Sequence, residues 1–235
     1  MAGTILLAGG GEFQKGFEVA DQNALELAAD SGGIGSVLVL AVASGARRAT
    51  EMSQEGSVWF TKLGAAISEG LAITDHTEAN DPAKAARIAQ ASLIYLVGGD
   101  PAYIPAVLQD SACLAAIQKV FAKGGVVAGS GSGAMALTQY LYHEEKNEII
   151  PGLNFVPDCC VIPYHTSRGR KWSKKLAELL PTAYILGLDE KIAILGAANY
   201  WRVSGRGWVT VYKGSKTRKF VSGQPFTLNP KKISI

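Results

Sequence analysis

A short apolar run that stops in a series of glycines constrains this chain more than any other stretch. Residues 126–128 read Val-Val-Ala, residues 129–133 read Gly-Ser-Gly-Ser-Gly, and residues 134–137 are the helix formers Ala-Met-Ala-Leu. This pattern predicts a strand, a tight turn and a helix, which is the context of a nucleophile elbow. In the frame of alternating glycines, Gly131 stands at the centre, where such an elbow carries its reactive side chain. Ser130 and Ser132 stand on either side of it.

The first half of the chain alternates continuous apolar runs with helical patterns. Such runs are typical of strands that are buried on both faces of a parallel sheet. The expected strands cover residues 4–8, 36–43, 72–74, 93–97 and 126–129, and the expected helices cover residues 13–30, 47–69, 82–91 and 104–123. Since ligands bind at the carboxyl ends of parallel strands, we expect residues 9–12, Ser44, 98–101 and 129–133 along one edge.

The last third of the chain has a different pattern. Residues 152–163 are expected to hold a loop and a strand that ends in Tyr164-His165, and a basic amphipathic helix follows over residues 167–180. Shorter strands are expected at residues 183–188, 191–195, 200–204, 208–212 and 219–222, the last three in an antiparallel extension. Because no linker or repeat interrupts the pattern, we predict one domain over residues 1–235.

The charges are unevenly distributed although the formal net charge is only +3. No acidic residue follows Glu190, whereas nine Lys and Arg residues do. These basic residues are interleaved with turn glycines and match no nucleic-acid module, so a solvated face is favoured over an acidic partner. For the same reason we do not expect a nucleic acid as a partner. No apolar run is long enough to span a membrane, so we do not expect a membrane as a partner either.

Cysteines and glycines give no sign of a metal or cofactor. Cys113, Cys159 and Cys160 lack metal-ligand spacing, and their odd number without a secretory signal indicates reduced thiols in the cytoplasm. We interpret them as small hydrophobic residues, with a nucleophilic cysteine as the weaker alternative. The glycines at 9–11 follow a strand, but Gln14 stands where a dinucleotide fingerprint needs its third glycine.

Several separated motifs occur in a shared order along nearly the whole chain. They are Ala43-Ser44, Gly98-Gly99-Asp100, the segment A-G-S-G-S-G-A-M at 128–135, Pro151-Gly152-Leu153, Arg168-Gly169-Arg170, G-L-D-E at 187–190 and V-S-G-R-G-W-V-T-V from Val203. This set resembles the serine peptidase family S51, which includes cyanophycinase and the aspartyl dipeptidase. The resemblance implies a class I glutamine amidotransferase-like fold: a three-layer α/β sandwich with a mostly parallel central sheet and a small antiparallel C-terminal extension.

The same resemblance places the family's catalytic pair on unsuitable residues. The family's elbow is similar to A-G-T-S-A-G-A-M, so its nucleophilic serine falls on Gly131. Its base histidine falls on Tyr164, one residue before His165. Neighbouring side chains on a strand face opposite sides, so Ser132 and His165 are not expected to meet unless a bulge shifts the register.

The resemblance also implies the rest of a binding site. Gly99, Asp100, Ser130 and Gly131 would surround the ligand, with the backbone of Gly99 and Ser132 available for an oxyanion. Arg168 and Arg170 would pair with a carboxylate of the ligand, although an exposed helix face explains them equally well. The acid that orients the family's histidine is sought among Glu144, Glu145 and Glu148.

Three functions follow from these observations. The favoured one is a catalytically degenerate homologue that binds a small acidic peptide or an anion, as a monomer or a homodimer. The second is an active serine peptidase that uses a shifted Ser132–His165 pair on aspartyl or β-aspartyl peptides. The third is an assembly module without a ligand.

Overall fold

Two sheets form the framework of the computed structural model, which describes residues 3–30, 36–197 and 199–229. The strands, in chain order, are β1 (Thr4–Ala8), β2 (Ser36–Val42), β3 (Ile67–Ile73), β4 (Leu93–Gly98), β5 (Val126–Ser130), β6 (Thr138–His143), β7 (Glu148–Pro151), β8 (Val156–Ile162), β9 (Tyr184–Leu188), β10 (Ile192–Ala197), β11 (Tyr200–Gly205), β12 (Val209–Lys213), β13 (Lys216–Phe220) and β14 (Pro225–Thr227).

The main sheet has eight strands in the order β14-β11-β10-β1-β5-β4-β2-β3. The five strands from β1 to β3 in this order are parallel, and β10, β11 and β14 continue the sheet in antiparallel pairs. Strands β4 and β5 lie in the interior of the sheet, as their apolar sequences predict. The mostly parallel α/β fold is therefore confirmed.

The second sheet has six strands in the order β13-β12-β9-β8-β6-β7. The predicted antiparallel C-terminal strands are present and extend both sheets: β11 and β14 extend the main sheet, and β12 and β13 extend the second. The hairpin of β6 and β7 was not predicted at all. Alternation marks residues as strands, but it does not say which distant strand each of them pairs with.

The helices cover both faces of the main sheet and the outer face of the second one. They are α1 (Glu18–Asp30), α2 (Ala46–Lys62), α3 (His76–Ala79), α4 (Pro82–Ile88), α5 (Tyr103–Leu108), α6 (Ala112–Ala122), α7 (Ser132–Leu137) and α8 (Arg170–Leu179). One core lies between the main sheet and α1 and α2, and a larger one joins the two sheets around α7. None of the described helices is long and apolar enough to cross a membrane.

Two of the predicted helices differ in their bounds for local reasons. The helix expected over 47–69 ends at Lys62, because Gly64 turns the chain with a φ of +94° and residues 67–73 then pair as β3. The helix expected over 104–123 is split in two, since Asp110 has a φ of +57° and the Ser111 side chain caps α6.

A carboxyl group is buried where α1 packs against the main sheet. Asp21 is fully buried; its Oδ2 accepts a hydrogen bond of 2.8 Å from the Trp59 indole, and its Oδ1 has no partner among the described residues. Burial, opposed by the hydrogen bond from Trp59 and aided by the nearby carboxylates of Glu12 and Glu18, raises the pKa of Asp21 to about 8. Near neutral pH the native protein therefore favours the protonated acid.

Replacing Asp21 with asparagine should stabilise the protein at alkaline pH. Because the pKa of Asp21 is higher in the folded protein than in the unfolded chain, the protonated carboxyl stabilises the native state at low pH. This stabilisation is lost as the pH rises from about 4 to about 8. Asp21→Asn mimics the neutral acid at every pH, so at pH 8 to 9 its free energy of unfolding should exceed that of the wild type by a few kcal/mol (~2–5). Urea unfolding from pH 4 to 9 measures the difference. Exposed Asp110→Asn is the control, and parallel pH profiles for wild type and Asp21→Asn would contradict the assignment.

Candidate functional site

The turn between β5 and α7 has the geometry of an elbow with glycine at its apex. Gly131 adopts φ +53° and ψ −113°, a conformation that residues with a Cβ rarely adopt. Two residues later, a Cβ at Gly133 would lie 2.0 Å from the carbonyl oxygen of Leu96, so only glycine fits between the helix and β4. Gly131, and not Ser130 or Ser132, therefore occupies the apex as the sequence predicts.

A cavity of about 820 Å³ lies at the carboxyl ends of the parallel strands, next to the elbow. Its lining includes Glu12, Ser44, Asp100, Gly131 and Ser132, which come from the segments expected along one edge of the sheet. A neighbouring cavity of about 320 Å³ shares Glu12, Met52 and Tyr164 with it. A cavity therefore lies at the edge of the sheet where the sequence predicts the site.

The two serines that flank the apex have separate roles. Ser132 lines the larger cavity and donates a hydrogen bond of 2.8 Å to the carbonyl oxygen of Gly99, which lines it too. Ser130 is buried and donates a hydrogen bond of 2.7 Å to Glu12 Oε2. Ser130 therefore anchors the loop after β1 and does not line either cavity.

Tyr164 faces the apex of the elbow. Its backbone is left-handed, with φ +49° and ψ +41°, and its N–H donates to the carbonyl oxygen of Gly9 over 2.8 Å. Its hydroxyl oxygen lies 3.5 Å from the point where a Cβ on Gly131 would stand. The position that carries the base in the resemblance thus lies opposite the position that carries the nucleophile, and the two are occupied by a phenol and a glycine.

His165 points away from the elbow into the second sheet. Its ring is buried against Gly187, its Nε2 accepts a hydrogen bond of 2.9 Å from the Tyr212 hydroxyl, and its Nδ1 lies 3.5 Å from Asp189 Oδ1. These partners assign the proton of the neutral ring to Nδ1. Ser132 and His165 therefore have separate partners, and the structure does not bring them together.

The reason for this orientation differs from the one that the sequence suggested. β8 ends at Ile162, and His165 begins a π-helical turn (His165–Gly169) instead of continuing the strand. The left-handed backbone of Tyr164, and not the alternation of a strand, sends the two neighbouring side chains in different directions.

Burial also determines the protonation of His165. It lowers the pKa of the imidazole, Asp189 opposes this shift, and the positive charges of Arg170 and Lys219 add to it. The neutral ring is the form that the folded protein favours.

Sequence reasoning missed one basic residue of the larger cavity. Arg48 of α2 lines the larger cavity, and its Nε lies 3.7 Å from the point where a Cβ on Gly99 would stand. Arg170 is exposed and lines neither cavity, and the side chain of Arg168 lies outside the described part of the structure. The available signal for Arg48 was its place just after Ser44, at the carboxyl end of β2.

The carboxylates near Tyr164 also differ in part from the expected set. Glu144 and Glu145 line the larger cavity, and Glu144 accepts a hydrogen bond of 3.4 Å from the indole of Trp172. Glu148 lies in β7 and lines neither cavity. Glu190, at the carboxyl end of β9 in the G-L-D-E motif, lines the smaller cavity together with Tyr164.

The three cysteines are buried and are not joined in disulfides. Burial raises the pKa of Cys113 to about 11 and that of Cys160 to about 12, and raises the pKa of Cys159 even more. They are therefore protonated hydrophobic residues, as predicted. The described residues contain no group of three or more His, Cys, Asp or Glu side chains that could hold a metal ion.

The sequence match that decides the family covers most of the chain. Residues 5–199 match the sequence model of peptidase family S51. The chain belongs to this family. No characterised protein matches the chain significantly in sequence.

Solved structures support the fold of this S51 chain. A peptidase from an acI-B1 Actinobacterium superposes with a TM-score of 0.83 at 22% identity, covering 97% of this chain and 98% of the other. A candidate peptidase E protein from Listeria monocytogenes EGD-e superposes with a TM-score of 0.56 at 14% identity, covering 94% and 99%. At these identities the similarity extends to the fold alone.

A side chain at the apex should cost stability even though there is room for it. Gly131→Ala places a Cβ in ordinary contact with Tyr164, but the left-handed φ should destabilise the S51 chain by about 1–3 kcal/mol. Gly45→Ala is the matched control, because Gly45 has an extended backbone and nothing lies within 4 Å of its Cβ position. Chemical unfolding compares the two; equal effects would show that the elbow is not strained.

Acid should destabilise the protein through His165. When the folded pKa is lower than the unfolded value, the unfolded chain takes up the proton first, so stability falls as pH drops below about 6.5. Between pH 7 and 5 this contribution amounts to at most about 2 kcal/mol, and His165→Gln should remove it. Urea unfolding at both pH values measures the loss, with His143→Gln as control. An imidazole pKa above 6.5 for His165 in an NMR titration would refute this assignment.

Proposed function

We propose that this S51 chain binds a short peptide in the larger cavity without hydrolysing it by serine-peptidase chemistry. Peptide hydrolysis by such a site needs a nucleophile at the apex of the elbow and a base within hydrogen-bond reach of it. Here the apex is Gly131, and the residue that faces it is Tyr164. A phenol is a poor general base near neutral pH, and glycine offers no nucleophile.

The observation that carries this proposal is the pair of separate hydrogen bonds made by Ser132 and His165. The serine hydroxyl donates to Gly99, and the histidine ring is buried between Tyr212 and Asp189. An active enzyme with a shifted pair would need these two side chains in contact. Their separation supports a degenerate site over the shifted pair.

The cavity itself supports retained binding. Its volume of about 820 Å³ lies in the range of small-molecule sites, and it holds polar groups at several strand ends. Arg48 is a guanidinium beside the elbow that could pair with a peptide carboxylate. The sequence favours an acidic peptide or an anion as the ligand. Arg48 would attract such a ligand, whereas the four carboxylates that line the cavity would repel it.

Restoring both side chains should restore hydrolysis. The wild type and Gly131→Ser should cleave aspartyl dipeptides very slowly or not at all. The double variant Gly131→Ser with Tyr164→His should cleave them roughly 10²–10⁴-fold faster than Gly131→Ser, since a general base contributes about that much to the rate. The serine Cβ fits at 3.5 Å from residue 164, and Glu190 lines the same small cavity as residue 164 and could orient the new imidazole.

The wild type provides the opposing test. Loss of a serine nucleophile costs roughly 10⁶ in kcat in subtilisin, so background cleavage should be at the limit of detection. Chromatographic detection of released aspartate measures it, with Ser132→Ala as the matched variant. Rapid cleavage by the wild type that disappears in Ser132→Ala would establish the shifted pair and overturn the proposal.

A further inference from the structure

Aromatic rings and carboxylates meet at one end of the larger cavity. Tyr142 and Trp172 pack edge to face with their ring centres 5.2 Å apart, and both line the cavity. Glu144 is held at this corner by its hydrogen bond to the Trp172 indole, and exposed Glu145 follows it in the chain. We call these four residues the aromatic-acidic corner.

The charge of the cavity is opposite to that of the chain. The described lining residues include four carboxylates, of Glu12, Asp100, Glu144 and Glu145, and a single guanidinium, of Arg48. The whole chain has a formal net charge of +3. The negative charge is therefore a local property of this cavity, and it disfavours a ligand whose own charges are mainly negative.

The lysines next to the corner lie outside the lining of the cavity, including Lys146 after Glu145 and Lys171 before Trp172. Lys175 lies outside the lining; its ammonium is 5.9 Å from the centre of the Tyr142 ring and donates to Asn147. Arg48 lies beside Gly99, among the lining residues next to the elbow. Among the described residues, the two carboxylates of the corner line the cavity and no lysine ammonium does.

We propose that the ligand of this cavity is a short peptide with a lysine side chain, whose ammonium lies in the aromatic-acidic corner while Arg48 pairs with its terminal carboxylate. Aromatic faces attract cations through their quadrupoles, and carboxylates add charge-assisted hydrogen bonds. The cavity is large enough for a dipeptide. This inference rests on the proposed function, because it names the class of peptide that the same site binds.

Calorimetry with three dipeptides of similar length tests the charge preference on the full chain. Ala-Lys and Ala-norleucine share a straight side chain and differ in the ammonium, and Ala-Glu carries the opposite charge. Ala-Lys should bind roughly tenfold more tightly than Ala-norleucine, and Ala-Glu most weakly of the three. The advantage of Ala-Lys should shrink as salt is raised from 20 to about 300 mM, because the corner carboxylates are exposed.

Variants of the aromatic-acidic corner test whether the preference for Ala-Lys over Ala-norleucine arises there. Glu144→Gln with Glu145→Gln should bring Ala-Lys to the affinity of Ala-norleucine and leave the latter unchanged. Glu148→Gln, in β7 outside both cavities, is the matched control and should change neither. Arg48→Ala should weaken all three dipeptides, since each of them has a terminal carboxylate.

The outcomes separate the inference from the proposed function. Equal binding of the three dipeptides, or tightest binding of Ala-Glu, would overturn the lysine preference and leave peptide binding established. Absence of binding by every dipeptide at millimolar concentration would overturn both. Retention of the Ala-Lys advantage in the Glu144→Gln, Glu145→Gln variant would show that the corner is not where the ammonium binds.

Discussion

The site depends on one strained backbone position, the left-handed Gly131 between β5 and α7. Parallel strands place their carboxyl ends at one edge, and there Gly131 alone joins the end of β5 to the start of α7. Its N–H is held by the carbonyl oxygen of Ala8, and its carbonyl oxygen accepts from Met135 in the first turn of α7. The strain is thus maintained by hydrogen bonds on both sides, although no side chain at the apex makes use of it.

Tyr164 and His165 show how adjacent residues come to serve different parts of the molecule. The left-handed backbone of Tyr164 directs its ring to the elbow and to the cavities. His165 turns the other way and joins Tyr212 and Asp189 in the second sheet. A buried, hydrogen-bonded imidazole contributes to packing, and its lowered pKa follows from that burial and not from any reaction.

The fold was largely predictable, and the site was predictable in part. Continuous apolar runs predicted β2, β4 and β5, because such sequences are typical of strands that are buried on both faces. The hairpin of β6 and β7 was missed, since its strands are short and half-exposed. Arg48 and Glu190 were also missed, because each belongs to the site only through the arrangement of strand ends.

The sequence by itself determined that the apex of the elbow is glycine and that the adjacent serines are out of frame, because backbone sterics at such a turn depend on local residue types. Tertiary structure alone decided what those residues face. Ser130 meets Glu12, 118 residues away, and His165 meets Tyr212, 47 residues away. The same holds for the acidic lining of the cavity in a basic chain, since Glu12, Asp100 and the adjacent Glu144 and Glu145 come from three distant parts of the sequence.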